Sequence, residues 1–123
     1  YEFFVQEAQE FLHLLEAGIL ELREFRDIPK VHTLMRAAHS IKGGAAGVGL
    51  ESIQAIAHRL ENVFRALYQQ EVELDLSLED LLLQGYDALR APLMQEIETG
   101  THDADAAIAT ANPIFEKLES QLG

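Results

Sequence analysis

His39 and Lys42 stand one helical turn apart, and so do His58 and Glu61 further along the chain. These residue types suit one chemistry. A neutral imidazole has one nucleophilic nitrogen, and a carboxylate that accepts the N–H of the other nitrogen fixes which one it is. An unperturbed imidazole, with a reference pKa of about 6.5, is mostly neutral at pH 7 and able to attack. A cation one turn along could neutralise phosphoryl oxygens, as cations do wherever phosphoryl groups are transferred. Nucleophile, orienting carboxylate and phosphate-facing cation make a phosphoacceptor site. They do not make a kinase, because no glycine-rich nucleotide loop follows a strand anywhere in the sequence.

The surroundings of His39 support that reading. At about 100° per residue, the apolar stripe Val31, Leu34, Ala38, Ile41, Ala45 and Val48 averages roughly 130° away from His39, which should therefore face solvent. Met35, Arg36, Lys42, Gly43 and Ala46 lie within about 60° of it on the same wheel. The ring is thus flanked by cations over a surface of small residues, and Met35, Arg36, Gly43 and Ala46 are the expected docking surface for a partner. A glycine inside a helix costs about 1 kcal/mol against alanine, so Gly43 and Gly44 each need a reason. Close approach of a partner accounts for Gly43. Gly44 falls near the opposite side, where tight helix packing is the simpler account.

The facing half of the site comes from the next helix, where Gln54, His58, Glu61 and Arg65 form a polar stripe. If the two helices make an antiparallel hairpin turning near residues 48–49, the level opposite His39 is near residue 58. His58 and Glu61 therefore belong beside His39. A di-iron site is the competing use of paired His and Glu in a bundle, but it needs several inward Glu-x-x-His motifs. The sequence has the order His58-x-x-Glu61 and none of the rest, so no metal is expected. His13, His32 and His102 are read as solvated surface side chains.

Elements that can hold such a site follow from the periodicity. Phe4, Ala8, Phe11, Leu15, Ile19 and Leu22 recur at spacings of three and four and predict a first helix. A break is expected at residues 26–29, where Asp27 can cap the second helix and Pro29 fits its first turn. Gly47 and Gly49 mark that helix's end, and a third begins near Leu50 with Leu50, Ile53, Ile56, Leu60, Val63 and Leu67 inward. Residues 70–77 alternate like a strand, but a lone strand has no partner here, so a loop is expected. Ser77 with Asp80 resembles a capping box opening a fourth helix through Leu78, Leu81, Leu82, Gly85 and Leu89. Pro92 should kink or end it. Residues 103–122 are helical in composition, with Pro113 dividing them. The expected fold is all-α, an antiparallel up-and-down four-helix bundle over about residues 3–98. Residues 101–123 are either an extra packed helix or the start of a linker.

Composition narrows the function further. At 123 residues the chain is the size of one domain, given roughly 100–200 residues per domain. Nine Lys and Arg against 21 Asp and Glu give a net charge of −12, which argues against nucleic acid or an anionic membrane as partner. Within residues 30–65, however, Lys30, Arg36, Lys42, Arg59 and Arg65 face only Glu51 and Glu61, so the acidic excess lies outside the segment that carries His39. An apolar fraction of 48% is that of a globular protein rather than of an acidic tail. Cysteine is absent, which fits a reducing, cytoplasmic compartment. No apolar run approaches the ~20 residues a membrane-spanning helix needs, and no signal-peptide pattern opens the chain. The chain opens on Tyr1 rather than Met, as expected of a piece of a longer protein.

The run Met35-Arg36-Ala-Ala-His39-Ser-Ile-Lys42-Gly43-Gly44-Ala-Ala46-Gly47-Val48-Gly49-Leu50 closely resembles the phosphorylation motif of histidine-containing phosphotransfer (HPt) domains. It is most similar to the N-terminal HPt domain of CheA-type chemotaxis histidine kinases. Ala57-His58-Arg59-Leu60-Glu61 resembles the family's second motif, and residues 4–22, with Glu7-Ala8 and Leu15-Glu16, resemble its first helix. The likeness covers about residues 3–70, thins towards 95, and differs at Met35, where the family often has Phe. It implies a four-helix bundle with a fifth helix in some members, His39 as phosphoacceptor, Glu61 orienting its ring, and Lys42 and His58 completing the network. It also implies two partners, both in a two-component pathway. An ATP-binding histidine kinase domain donates the phosphoryl group from Mg-ATP, and a response-regulator receiver domain takes it onto an aspartate with Mg²⁺. The domain itself is expected to bind no cofactor. The reading is therefore an HPt module of a CheA-like kinase; the alternatives are a free-standing or hybrid-kinase relay domain and a non-catalytic helical adaptor.

Overall fold

The computed structural model describes residues 2–22, 24, 27–70 and 72–122. It consists of α1 (Glu2–Leu22), α2 (Ile28–Gly47), α3 (Glu51–Gln69), α4 (Leu76–Thr99) and α5 (Ala104–Leu122), with no strand among the described residues. Helices α1 to α4 close a ring in which each packs on its neighbours in sequence and α4 returns to α1. The ring is antiparallel. A Cβ on Gly44, late in α2, would lie 2.9 Å from the ring of Phe4, early in α1. At the other end Lys30 Nζ of α2 meets Glu21 Oε2 of α1 at 3.2 Å. The close approach of α1 is thus the reason for Gly44.

The fifth segment is a packed helix. It lies in the groove between α3 and α4 and runs parallel to α3. Two polar clasps set that direction. At one end His102, in the α4–α5 connection, bonds Ser52 of α3 and Glu96 of α4, both at 2.6 Å. Further along, Arg59 of α3 holds Glu119 at 3.0 Å and Asn112 at 2.9 Å and lies over the Phe115 ring. His102 is therefore no surface residue, since its side chain is only 8% exposed. A carboxylate can only accept, so Nδ1–H donates to Glu96, and in the neutral ring Nε2 accepts the Ser52 hydroxyl proton.

Several local expectations give way to packing. Asp27 does cap α2, accepting from the Lys30 amide at 2.8 Å, although residue 26 of the expected break lies outside the described residues. The cap of α4 is Asp75 rather than Ser77. Its carboxylate accepts the Leu78 amide at 2.8 Å and the helix starts at Leu76. A charged cap also favours the positive end of the helix dipole, which a serine hydroxyl does not. Pro92 does not end α4, which continues to Thr99. Nor does Pro113 divide α5. A proline inside a helix costs about 3 kcal/mol, whereas each buried large apolar side chain gains about 1.5–3 kcal/mol. With Leu78, Leu82, Leu89 and Leu93 all buried on α4, that stripe outweighs one lost backbone bond.

On α1 the buried stripe runs through Leu12, and Phe11 is half-buried. Phe11 borders a groove of about 270 Å³ beside Ser40, Gly44 and Gly47, where small residues leave it open. Val48 and Leu50, expected inward, are half-buried because they flank the turn. Gly49 makes that turn at φ 78°, a conformation that side chains other than glycine's disfavour. Among the described residues no helix is long and apolar enough to cross a membrane.

Candidate functional site

Helices α2 and α3, joined by the tight turn at Gly49, bring His39 and Glu61 together. His39 Nδ1 lies 2.8 Å from Glu61 Oε2. Because the carboxylate can only accept, Nδ1 carries a proton, and in the neutral ring Nε2 keeps its lone pair. The His39 side chain is 63% exposed, so that lone pair is open to solvent, whereas the Glu61 side chain is 4% exposed. A reactive ring thus stands on a buried anion.

A buried carboxylate needs compensation. Lys42 Nζ donates to Glu61 Oε1 at 2.7 Å and Arg65 Nη2 to Oε2 at 3.2 Å. Burial pushes the Glu61 pKa upward, but the hydrogen bonds from Lys42 and His39 outweigh it and hold the carboxyl below its ordinary value of 4.5. Glu61 is therefore ionised at neutral pH with both oxygens engaged.

The expected residues are distributed unevenly around this centre. Lys42, expected to face a phosphoryl group, is turned onto Glu61 and is 24% exposed. His58 lies exposed on α3 and makes no hydrogen bond to His39, Lys42 or Glu61. The hairpin register explains this. The turn extends through Leu50, so the bonded level opposite His39 is Glu61, one helical turn beyond residue 58. Arg36, Gly43 and Ala46 are exposed around His39 and Met35 is half-buried, and a Cβ on Gly43 would meet nothing within 4 Å. Among the described residues no three His, Cys, Asp or Glu gather in a way that could hold a metal ion.

Arg65 stands on the facing polar stripe, but its contact with Glu61 is one that motif reasoning missed. The signal was present: Arg65 follows Glu61 by four residues, the spacing at which a helix pairs opposite charges. Asn62, which accepts from Arg65 Nη1 at 2.8 Å, carries no comparable sequence signal.

Comparison with known proteins agrees with this architecture. The Hpt domain family model matches residues 1–92. The chemotaxis protein CheA of Klebsiella aerogenes is 37% identical over 94 residues, covering 76% of this chain and 14% of that protein. That of Rhizobium meliloti is 36% identical over 89 residues, covering 72% and 12%. The chain thus spans a small part of the curated relatives it matches. Among solved structures, the phosphorylated P1 domain of CheA3 in complex with CheY6 from R. sphaeroides superposes with a TM-score of 0.81 at 24% identity, covering 98% of this chain and 95% of that one. That likeness is one of fold. The family's match runs from α1 into α4 and spans the whole His39–Glu61 hairpin, and the chain belongs to the Hpt domain family.

Proposed function

We propose that this domain carries a phosphoryl group on His39 between an ATP-binding histidine kinase domain and the aspartate of a response-regulator receiver domain. One observation carries the reading: an exposed imidazole whose Nδ1–H is held by a buried, ionised carboxylate, leaving Nε2 free. In the first step Nε2 attacks the γ-phosphorus of ATP, an N–P bond forms, and the bond to the ADP oxygen breaks. The ring gains positive character, and the Nδ1–H bond to Glu61 strengthens as it does so. In the second step the receiver's aspartate oxygen attacks the same phosphorus, the N–P bond breaks, and its electron pair returns to Nε2. Mg²⁺ accompanies ATP in the kinase domain and serves the receiver's aspartate, not this domain.

Lys42 and His58 are proposed as supporting groups, Lys42 through its bond to Glu61. The exposed surface of Arg36, Gly43 and Ala46, with Met35 at its edge, is proposed as the docking area for both partners. The curated relatives, both chemotaxis proteins CheA, support placement within a CheA-like chemotaxis kinase, and a cytoplasmic location is part of the same proposal. A helical adaptor would have no use for an ion cluster beneath an exposed imidazole.

The test supplies Mg-ATP and the ATP-binding domain of a CheA-type kinase and follows radiolabel. Acid-labile, base-stable label is expected on the domain, none with ATP alone, and none on His39→Gln, whose exposed position leaves the fold intact. Label persisting in His39→Gln, or lost only in His58→Gln, would put the nucleophile on the wrong helix.

A further inference from the structure

Glu61 Oε2 accepts from two groups at once, His39 Nδ1 at 2.8 Å and Arg65 Nη2 at 3.2 Å. Among the described residues Oε1 takes Lys42 Nζ alone, at 2.7 Å. The two cations reach the carboxylate from different helices. Lys42 stands on α2 beside His39, and Arg65 stands on α3 one turn beyond Glu61.

They also constrain it differently. An ammonium is a compact charge on a flexible stem and tolerates many directions of approach, so Lys42 alone anchors Oε1 without fixing the plane of the carboxylate. The terminal torsion of Glu is broad and supplies little restraint of its own. A guanidinium is planar, and this one is held at a second point by Nη1 donating to Asn62 Oδ1 at 2.8 Å. Asn62 thus fixes Arg65, Arg65 fixes Oε2, and Oε2 meets the proton on His39.

We infer that Arg65 is a positioning residue for phosphoryl uptake: it holds Glu61 in the plane that keeps the His39 proton on Nδ1 and leaves Nε2 as the nucleophile. The inference rests on the phosphoacceptor reading of His39 given above. It differs from a purely structural role, in which Arg65 would only neutralise a buried charge. Arg65 is 45% exposed, and a partly solvated pair on one helix stabilises the fold little. A chain of three directed bonds that ends on the reactive ring is more than charge neutralisation needs.

The test compares wild type, Arg65→Ala, Arg65→Lys and Glu61→Ala in domain labelled with ¹⁵N-histidine. Ring ¹⁵N shifts of His39 at mildly alkaline pH report which nitrogen carries the proton. Initial rates of phosphoryl uptake from phosphoramidate, which needs no protein partner, report reactivity. Arg65→Ala is expected to populate the Nε2–H form and to slow uptake about threefold, the size a partly exposed pair can supply. Arg65→Lys should restore part of the rate, having the charge without the Asn62 tether. Glu61→Ala should shift the tautomer further than either. Wild-type tautomer and wild-type rate in Arg65→Ala would overturn the inference, as would a slowed rate with an unchanged tautomer. Failure of wild-type His39 to take up phosphoryl groups would instead overturn the phosphoacceptor reading, and the tautomer comparison would still decide the role of Arg65.

Discussion

Replacing Glu61 with alanine separates reactivity from stability at this site. The bond that is lost runs from His39 Nδ1 to Oε2 at 2.8 Å and joins the ring to a carboxylate that the fold keeps ionised. Hydrogen bonds to charged groups contribute about 1.5–3 kcal/mol. At about 1.36 kcal/mol per factor of ten, phosphoryl uptake should slow by about 10- to 150-fold. The fold should lose less. Lys42 and Arg65 are 24% and 45% exposed and can turn to water, so no uncompensated buried charge remains. A stability loss of about 1–2 kcal/mol is expected, measured by urea unfolding, while initial rates of labelling are followed with kinase domain and Mg-ATP. Acid titration supplies a second arm. The native Glu61 pKa lies below the ordinary 4.5, so the ionised carboxylate stabilises the fold above that pH. The contribution is lost as pH falls through the lower native value. Wild type should therefore lose stability below pH 4.5 more steeply than Glu61→Ala. A normal labelling rate in the variant, with helicity unchanged, would refute the mechanism.

Gly43→Leu should impair transfer to a receiver domain in a stopped-flow assay and leave the melting temperature equal or higher. A Cβ there meets nothing within 4 Å, and glycine costs the helix about 1 kcal/mol; unaffected transfer would move the docking surface elsewhere. Ser52→Ala should leave His102 Nε2 without its partner in a site only 8% exposed and lower stability by about 1–3 kcal/mol in thermal scans. Labelling of His39 should be unchanged, and a stability loss near zero would mean the clasp does not hold α5.

How much of the fold was legible depended on whether one term dominated locally. The stripes of α2, α3 and α4 are simple three-four repeats of large apolar residues, and burial of Leu34, Ile41, Ile53, Leu60 and Leu82 follows them. Where two weak terms compete, local rules fail. Ser77 is the cap that the capping-box pattern suggests, but Asp75, two residues earlier and charged, takes the place. Pro92 and Pro113 are breakers by local geometry, but helices buried along their length absorb the lost bond. His102 has no periodic neighbours, so nothing in the sequence around it signals that the chain folds back to Ser52 and Glu96.

The site divides along the same line. That His39 is exposed follows from its wheel position opposite a long apolar stripe, an argument that needs only helix geometry. That Glu61 faces it follows from a tight hairpin, and an error of a few residues in the turn shifts the partner by one helical turn. This is why His58 and Glu61 looked equivalent in sequence, although only Glu61 is buried and bonded. The direction of a flexible lysine is harder still, because Lys42 reaches either outward to a phosphoryl group or sideways to Glu61. Energetics decide between the two. A carboxylate 4% exposed must be compensated before any ligand arrives, so in the unmodified domain Lys42 belongs to Glu61. Sequence motifs name the groups a reaction needs, whereas the resting arrangement answers to the buried charge. A cation expected to face the substrate is therefore first engaged by the anion that orients the nucleophile.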